Sequence, residues 1–149
     1  MTRLATDSAN DTQVQSPLDT VRALLRALER GETGDQLRQY FTEDVRQVEY
    51  PSLVGPRLSE RGLAEMLAGS VAGAGLLQHQ RYAEEEAVQH RDRVVLRLTW
   101  SAVLSIPLET LQPGDVLTAH VAMFCTVRDG RIAHQASYDC YEPFASENA

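Results

Sequence analysis

Three segments in the first half of the chain place apolar residues at helical spacing. The first begins at a Ser16 N-cap and has Pro17 in its first turn, an arrangement that is typical of helix starts. Its apolar residues recur every three or four positions: Leu18, Val21, Leu24, Leu25 and Leu28. The same spacing predicts shorter helices over residues 34–41 and over residues 59–75, the latter from a Ser59 cap.

The second half of the chain alternates between apolar and polar residues, as β-strands do. Residues 93–104 give the clearest alternation, with one face made of Val94, Leu96, Leu98, Trp100, Ala102 and Leu104. Residues 116–127 are apolar on both faces, which predicts a central strand covered on each side. The pair Asp129-Gly130 predicts a hairpin turn into a last strand over residues 131–142.

Two further strands complete the predicted order of elements. A short strand over residues 44–50, ended by Pro51, lies among the helices, and another strand region covers residues 76–90. The chain therefore reads as three helices with one strand among them, followed by about four antiparallel strands. This segregation predicts an α+β fold, with the helices packed on one face of a curved, mostly antiparallel sheet.

The length of 149 residues suits a single domain. We place that domain at residues 16–144. Residues 1–15 and 145–149 are polar and lack an apolar period, so they are expected to be disordered tails. The two cysteines, Cys125 and Cys140, lie in apolar strand-like contexts and are expected to be buried free thiols.

The composition argues against several classes of binding partner. The net charge is −7 and every basic residue is Arg. Since nucleic-acid binding depends on clustered cations, no nucleic-acid partner is expected. No apolar run approaches the ~20 residues that cross a bilayer, and the start lacks a hydrophobic signal segment. A cytoplasmic protein without membrane association is therefore expected. No spacing of His, Cys, Asp and Glu suggests a metal site, and no metal or organic cofactor is expected.

Four segments carry a resemblance to a known family: FTEDVRQVEYP, RYAEEEAVQHRDRVVLRLTW, LQPGDVLTAHVAMFCTVRDGRI and YDCYEPF. Together they resemble the SnoaL-like branch of the nuclear transport factor 2 fold, in a bacterial subfamily. Ketosteroid isomerases and polyketide cyclases share this fold. The resemblance covers about residues 17–144. It implies a cone-shaped α+β barrel with a cavity between the helices and the concave sheet, and a homodimer formed through the convex sheet face.

The catalytic residues of ketosteroid isomerases do not carry over with the fold. Their chemistry needs a carboxylate base, with a Tyr and a protonated Asp as hydrogen-bond donors to the oxyanion. At the matching positions this chain has Tyr50 or Glu49 for the base, Leu24 for the Tyr and Met123 for the Asp. The triad is therefore not present. Met123 also occupies the position of an acid/base Asp in polyketide cyclases.

The resemblance also implies which residues of the last strand face the cavity: Ala133, Gln135, Ser137, Asp139 and Tyr141. Ile132 and Tyr138 would face the convex side. Asp139 is the candidate catalytic acid or base, because loss of water around a carboxylate in an apolar cavity raises its pKa toward neutrality. The alternative is that Asp139 pairs with an Arg, such as Arg81 or Arg97, and only fixes the strands.

The candidate ligand-binding residues are Tyr50, Glu49, His79, Tyr82, Trp100, Met123, Gln135 and Tyr141. His79 matches a catalytic His of dehydratases that share this fold, and Glu29 matches the partner Asp of that His. His120 would reach the cavity only if the strand alternation were shifted by one residue.

Taken together, these residues predict a cavity that binds a small hydrophobic or polyketide-like molecule. Acid/base chemistry of an isomerase, cyclase or dehydratase type is one interpretation. A non-catalytic ligand-binding module, or a dimerisation domain whose cavity is filled by side chains, is the alternative, since one fold hosts many functions.

Overall fold

Three helices pack on one face of a six-stranded sheet in this computed structural model, which describes residues 15–144. The helices are α1 (Pro17–Glu29), a 3-10 helix (Gly34–Tyr40) and α2 (Leu63–Gly73). The strands are β1 (Phe41–Glu49), β2 (Ser59–Arg61), β3 (Leu77–His90), β4 (Arg93–Leu104), β5 (Val116–Arg128) and β6 (Arg131–Tyr141). The predicted α+β class is confirmed. The predicted tails lie outside the described residues, except for Gln15.

The sheet is mixed and open. Its strand order is β2-β1-β6-β5-β4-β3. Only β1 and β6 run parallel, and all other neighbouring strands are antiparallel. The strands β2 and β3 form the two edges, so the sheet does not close on itself. The chain therefore builds a cone-like layer with the helices on its inner face.

The first helix forms as the sequence pattern predicts. The Ser16 hydroxyl accepts a hydrogen bond from the Asp19 backbone N–H at 3.1 Å, which satisfies one of the free donors at the helix start. The residues Val21, Leu24 and Leu25 are buried in the core against the sheet. Burial of each such side chain contributes roughly 1.5–3 kcal/mol, so this stripe fixes α1 on the sheet.

The second α-helix begins later than predicted. Ser59 is not a helix cap, because residues Ser59–Arg61 form β2 and pair with the end of β1. The helix starts at Leu63 after a Gly62 N-cap, and Val71 near its end is 58% exposed. A three-residue strand is too short to produce an alternating pattern, and the sequence analysis missed it for that reason.

A register shift in β6 changes the faces of its first residues. Thr126 pairs with His134 and Val127 pairs with Ile132, so Ala133 is an extra residue between the two pairs. An inserted residue reverses the alternation of side chains. Ile132 is consequently buried in the core, not on the convex side as predicted, and Ala133 does not line the cavity.

The sheet face opposite the helices is called the outer face below. The strand β5 alternates between buried and exposed residues, so within one chain only its inner face is covered, not both faces as predicted. Phe124 on this face is 45% exposed and Tyr138 is 43% exposed. Cys140 is also exposed, which corrects the expectation of two buried thiols, whereas Cys125 is buried.

Candidate functional site

A cavity of about 310 Å³ lies between the inner face of the sheet and the helices. Its apolar wall is built mainly from Leu24, Leu25, Leu28, Leu37, Phe41, Met66, Leu67, Val121 and Met123. Its polar and aromatic residues are Gln47, Glu49, Arg61, Gln80, Tyr82, Trp100, Gln135, Ser137, Asp139 and Tyr141. The volume is close to the lower end of the range of about 300–1,000 Å³ for ligand pockets. A small organic molecule therefore fits this space.

The strand β6 places Asp139 in the cavity wall, with Gln135, Ser137 and Tyr141 on the same face. This is the alternation that the sequence predicts beyond the register shift. The Ser137 hydroxyl donates a hydrogen bond to Oδ1 of Asp139 at 2.5 Å. This hydrogen bond fixes the orientation of the Asp139 carboxyl group on the inner face of the sheet.

The predicted alternative, an ion pair between Asp139 and an arginine, is not formed. Arg97 is instead bound by two carboxylates of β3, Glu85 and Glu86. Within residues 15–144, no arginine makes an ion pair with Asp139. The Asp139 carboxyl is therefore free of a countercharge in the described part of the chain.

The other carboxylate of the cavity is paired. Nη2 of Arg61 donates hydrogen bonds to Oε1 of Glu49 at 2.9 Å and to Oε1 of Gln47 at 2.7 Å. Nε2 of Gln47 in turn donates to Oε1 of Gln135 at 3.3 Å. These residues come from β1, β2 and β6, and they form a polar network at one end of the cavity. The sequence analysis missed Gln47 and Arg61, although Gln47 and Glu49 show the period-2 signal of one strand face.

Three aromatic residues form the other end of the cavity. Strand register aligns them, because Tyr82 pairs with Trp100, and both Trp100 and Tyr141 pair with Ala119. The rings of Trp100 and Tyr141 meet edge to face, with centroids 6.2 Å apart and planes at 81°. Such a geometry is favourable for aromatic pairs, so these rings form one continuous aromatic surface.

A single glutamine side chain fixes two of the three aromatic residues. Nε1 of Trp100 donates to Oε1 of Gln80 at 2.9 Å, and the Tyr82 hydroxyl donates to the same oxygen at 3.3 Å. Nε2 of Gln80 donates to the backbone oxygen of Leu28 at 3.3 Å. Gln80 thereby ties the aromatic surface to the end of α1.

Both tyrosine hydroxyls of the cavity are held in the neutral form. Burial raises the pKa of Tyr82, and the nearby carboxylates of Asp139 and Glu29 raise it further. Burial likewise raises the pKa of Tyr141, with additional contributions from the Asp139 and Glu49 carboxylates. A phenol that keeps its proton can donate a hydrogen bond to a ligand oxygen.

Tyr50 does not lie in the cavity, contrary to expectation. The parallel register pairs Glu49 with Ser137, which turns Glu49 inward and its neighbour Tyr50 outward. The Tyr50 ring stacks on Tyr138 of the outer face, with centroids 4.1 Å apart and planes at 9°.

The predicted pair of Glu29 and His79 is also not formed. Oε1 of Glu29 accepts a hydrogen bond from the Tyr82 backbone N–H at 2.9 Å, and its carboxylate pairs with Arg26. His79 is exposed, while its neighbour Gln80 lines the cavity. His120 lies on the outer face, 3.1 Å from Oε1 of Glu142. No histidine is therefore available to the cavity from these positions.

The remaining expected features concern metals and membranes. In the part of the chain that the structure describes, no three His, Cys, Asp or Glu residues cluster as metal ligands. The helices described between residues 15 and 144 are all too short or too polar to span a bilayer.

Comparison with known proteins finds a matching domain family and several solved structures with the same fold. The model of the SnoaL-like domain matches residues 21–135. No curated protein matches the sequence. Three similar solved structures are described below, and since all are under 25% identical, they indicate the fold alone.

IdmH from Streptomyces antibioticus, provisionally described as a polyketide cyclase, is 23% identical with a TM-score of 0.66, covering 83% of this chain and 91% of IdmH. TerC, co-crystallised with polyporic acid, is 18% identical with a TM-score of 0.63, and the match covers 83% of this chain and 92% of TerC. A protein from Catenulispora acidiphila with a ketosteroid isomerase-like fold, in complex with trimethylamine, is 16% identical with a TM-score of 0.62, covering 80% and 84%.

Proposed function

The chain belongs to the SnoaL-like domain family, and from this premise we propose that it binds a small organic molecule in the cavity and converts it by proton transfer. The observation that carries the proposal is the position of Asp139. Its carboxyl lines the cavity, is oriented by Ser137, and has no arginine partner among residues 15–144. A carboxyl group within reach of a bound ligand can act as a general acid or base.

The proposed reaction is a proton transfer beside a carbonyl group. The Asp139 carboxylate accepts a proton from the carbon next to the substrate carbonyl, and the electron pair of the broken C–H bond moves into an enolate. The neutral Tyr141 hydroxyl donates a hydrogen bond to the enolate oxygen. Return of the proton to another carbon of the enolate system completes an isomerisation. Alternatively, attack of the enolate carbon on a second carbonyl of the substrate forms a C–C bond and an alkoxide, and return of the proton from Asp139 to that alkoxide completes a cyclisation.

The ligand is small and largely apolar. Leucine, methionine and phenylalanine side chains form most of the apolar part of the wall, and the cavity holds only about 310 Å³. The crystallised complexes of TerC with polyporic acid and of the Catenulispora acidiphila protein with trimethylamine support a binding role for a cavity in this fold. Of the expected ligand-binding residues, we retain those that line the cavity: Glu49, Tyr82, Trp100, Met123, Gln135 and Tyr141.

We also propose that the protein is a cytoplasmic homodimer. The exposed rings of Phe124 and Tyr138 on the outer face support an interface there. Two free thiols, Cys125 and Cys140, are consistent with a reducing compartment.

Exchange of a carbon-bound proton tests the proposed chemistry without knowledge of the natural substrate. The probe is 2-tetralone, a small bicyclic ketone, and the measurement is the loss of its α-proton signals by NMR in deuterated buffer. We expect the wild-type protein to accelerate this exchange and Asp139→Asn to reduce the acceleration by about 10²–10⁴-fold.

The matched control is Asp129→Asn, which makes the same chemical change in the exposed β5–β6 turn. It should exchange 2-tetralone at the wild-type rate. If Asp139→Asn and the wild type accelerate the exchange equally, or if the wild type does not accelerate it at all, the proposed chemistry is wrong.

A further inference from the structure

The charges of the cavity do not cancel. Its lining contains two carboxylates, Glu49 and Asp139, and one guanidinium, Arg61. Arg61 is 2.9 Å from Glu49, so these two charges neutralise each other. Asp139 remains as a carboxyl group whose polar contact is the Ser137 hydroxyl. The unpaired carboxylate leaves the cavity with a net negative charge, and a cleft lined by one sign of charge attracts ions of the opposite sign.

The residues near Asp139 are suited to a cation. Tyr141 lies two positions further along the same face of β6, and the cross-strand row through Ala119 continues to Trp100 and Tyr82. All three aromatic rings line the cavity. The faces of aromatic rings carry negative potential and attract cations within about 6 Å of the ring centre.

From this arrangement we propose that the ligand of the cavity carries an alkylated ammonium group that lies against the rings of Tyr82, Trp100 and Tyr141. The Asp139 carboxylate attracts it without direct contact and so stays free to accept the proton. This inference rests on the proposed function because it uses the same cavity. It adds the substrate class, which is an amine with an apolar remainder that lies against the leucine wall.

The hydrogen-bonding groups favour an alkylated nitrogen over a primary one. A primary ammonium has three N–H donors that each need an acceptor. Oε1 of Gln80 already accepts two hydrogen bonds from protein side chains, and Oε1 of Gln135 accepts one. An alkylated ammonium needs few or no acceptors, and its methyl groups pack on aromatic faces.

The single tryptophan of the chain provides the readout. Since Trp100 lines the cavity, its fluorescence should respond when a ligand binds. The probes are choline and 3,3-dimethylbutan-1-ol, which have nearly the same shape but differ in charge. At constant ionic strength, we expect choline to bind the wild-type protein about tenfold more tightly than the neutral alcohol, as measured by fluorescence titration and by calorimetry.

Variants distinguish the contribution of the charge from that of the rings. Asp139→Asn should weaken choline binding about tenfold or more, while Asp129→Asn, the exposed control, should not change it. Tyr141→Leu should weaken choline binding more than Tyr141→Phe does, because only the phenylalanine keeps a ring. The thermal unfolding of each variant verifies that it is folded.

Equal binding of choline and the neutral alcohol to the wild-type protein overturns the ammonium inference but leaves the proposed proton transfer standing. Failure of both probes to bind also overturns it, and the exchange of 2-tetralone then decides the proposed chemistry separately. Because the comparison of the two probes needs only the wild-type protein, the inference can be tested even where a variant does not fold.

Discussion

The indole nitrogen of Trp100 donates a hydrogen bond to Oε1 of Gln80 at 2.9 Å, across the β3–β4 strand pair. The same oxygen accepts from the Tyr82 hydroxyl, so one side-chain amide satisfies two donors of the cavity wall. A donor that loses its partner in a partly buried site costs free energy of unfolding. Gln80 is therefore expected to matter for stability as well as for the orientation of the aromatic surface.

Replacement of Gln80 by leucine tests this role. The Gln80→Leu variant should lose about 1–3 kcal/mol of unfolding free energy, because it removes the acceptor of both donors. Urea unfolding measures this loss, and the fluorescence of Trp100 should shift because its N–H loses its partner. Gln39→Leu is the control, since Gln39 is exposed and its amide bonds only within its own 3-10 helix. An equal loss in the two variants contradicts the proposed role of Gln80.

The two thiols should differ sharply in reactivity. Cys125 is buried, and burial raises the pKa of its thiol to about 12, so at pH 8 very little thiolate is present there. Cys140 is exposed. At a protein concentration that keeps the chain monomeric, no second copy covers the outer face. Under that condition we expect one thiol to react quickly with a thiol-reactive disulfide reagent at pH 8 and the other only after unfolding, because the thiolate is the reactive species.

Serine substitutions show which thiol gives the fast reaction phase and which gives the slow one. Cys140→Ser should abolish the fast phase, and Cys125→Ser should leave it intact. Two fast phases in the folded wild-type protein would show that Cys125 is accessible.

Stability should fall in alkaline solution because of the cavity phenols. The folded-state pKa of Tyr82 lies above the ordinary value near 10. Below pH 10 both the folded and the unfolded chain hold the phenol proton, so this group adds no pH dependence. As the pH rises from 10 toward the folded-state pKa, the unfolded chain loses its proton first and the free energy of unfolding decreases.

The corresponding measurement is urea unfolding of the wild type and of Tyr82→Phe at several values between pH 8 and pH 11. The variant cannot ionise at this position, so the decrease between pH 9.5 and 11 should be smaller than in the wild type. The slopes are compared, since loss of the hydroxyl also shifts the stability at pH 8. Identical slopes would rule out a contribution from Tyr82.

Elements with a long buried face could be predicted from the sequence. The helix α1 and the strand β4 each bury one face, and burial produces the periodicity of their apolar residues. The strand β2 has three residues and no period, so no pattern could show it. The extra residue Ala133 in β6 depends on pairing with β5, and that pairing is not visible in the β6 sequence by itself.

Only part of the cavity could be predicted from the sequence, because strand pairing that no local pattern shows brings several of its residues together. The resemblance to the isomerase-like fold implies that Asp139 and Tyr141 face inward. The hydrogen bond between Arg61 and Glu49 connects β2 to β1, two strands that an irregular loop separates in the sequence. No local sequence pattern specifies this bond. The prediction that Tyr50 lies in the cavity was wrong, because the parallel register with β6 decides whether Glu49 or Tyr50 faces inward.

The outer face predicts a dimer. The Tyr138 ring stacks on Tyr50 and meets the Phe124 ring edge to face, with the latter centroids 5.9 Å apart. These rings form an aromatic patch on a face where Phe124 remains 45% exposed. Since an exposed apolar patch commonly marks a protein interface, we expect the wild-type protein to sediment at twice the mass of one chain.

Charge placed in this patch should separate the two copies. In Phe124→Asp the carboxylate would be buried without a partner in the dimer, a cost of several kcal/mol, and sedimentation should give the mass of one chain. Leu53→Asp, at a position that is 61% exposed in the loop between β1 and β2, should remain dimeric. A monomeric wild type contradicts the predicted dimer, whereas a Phe124→Asp variant that stays dimeric places the interface elsewhere. Because Phe124 and Met123 point to opposite sides of β5, Phe124→Asp should leave ligand binding in the cavity intact, so assembly and binding can be measured independently.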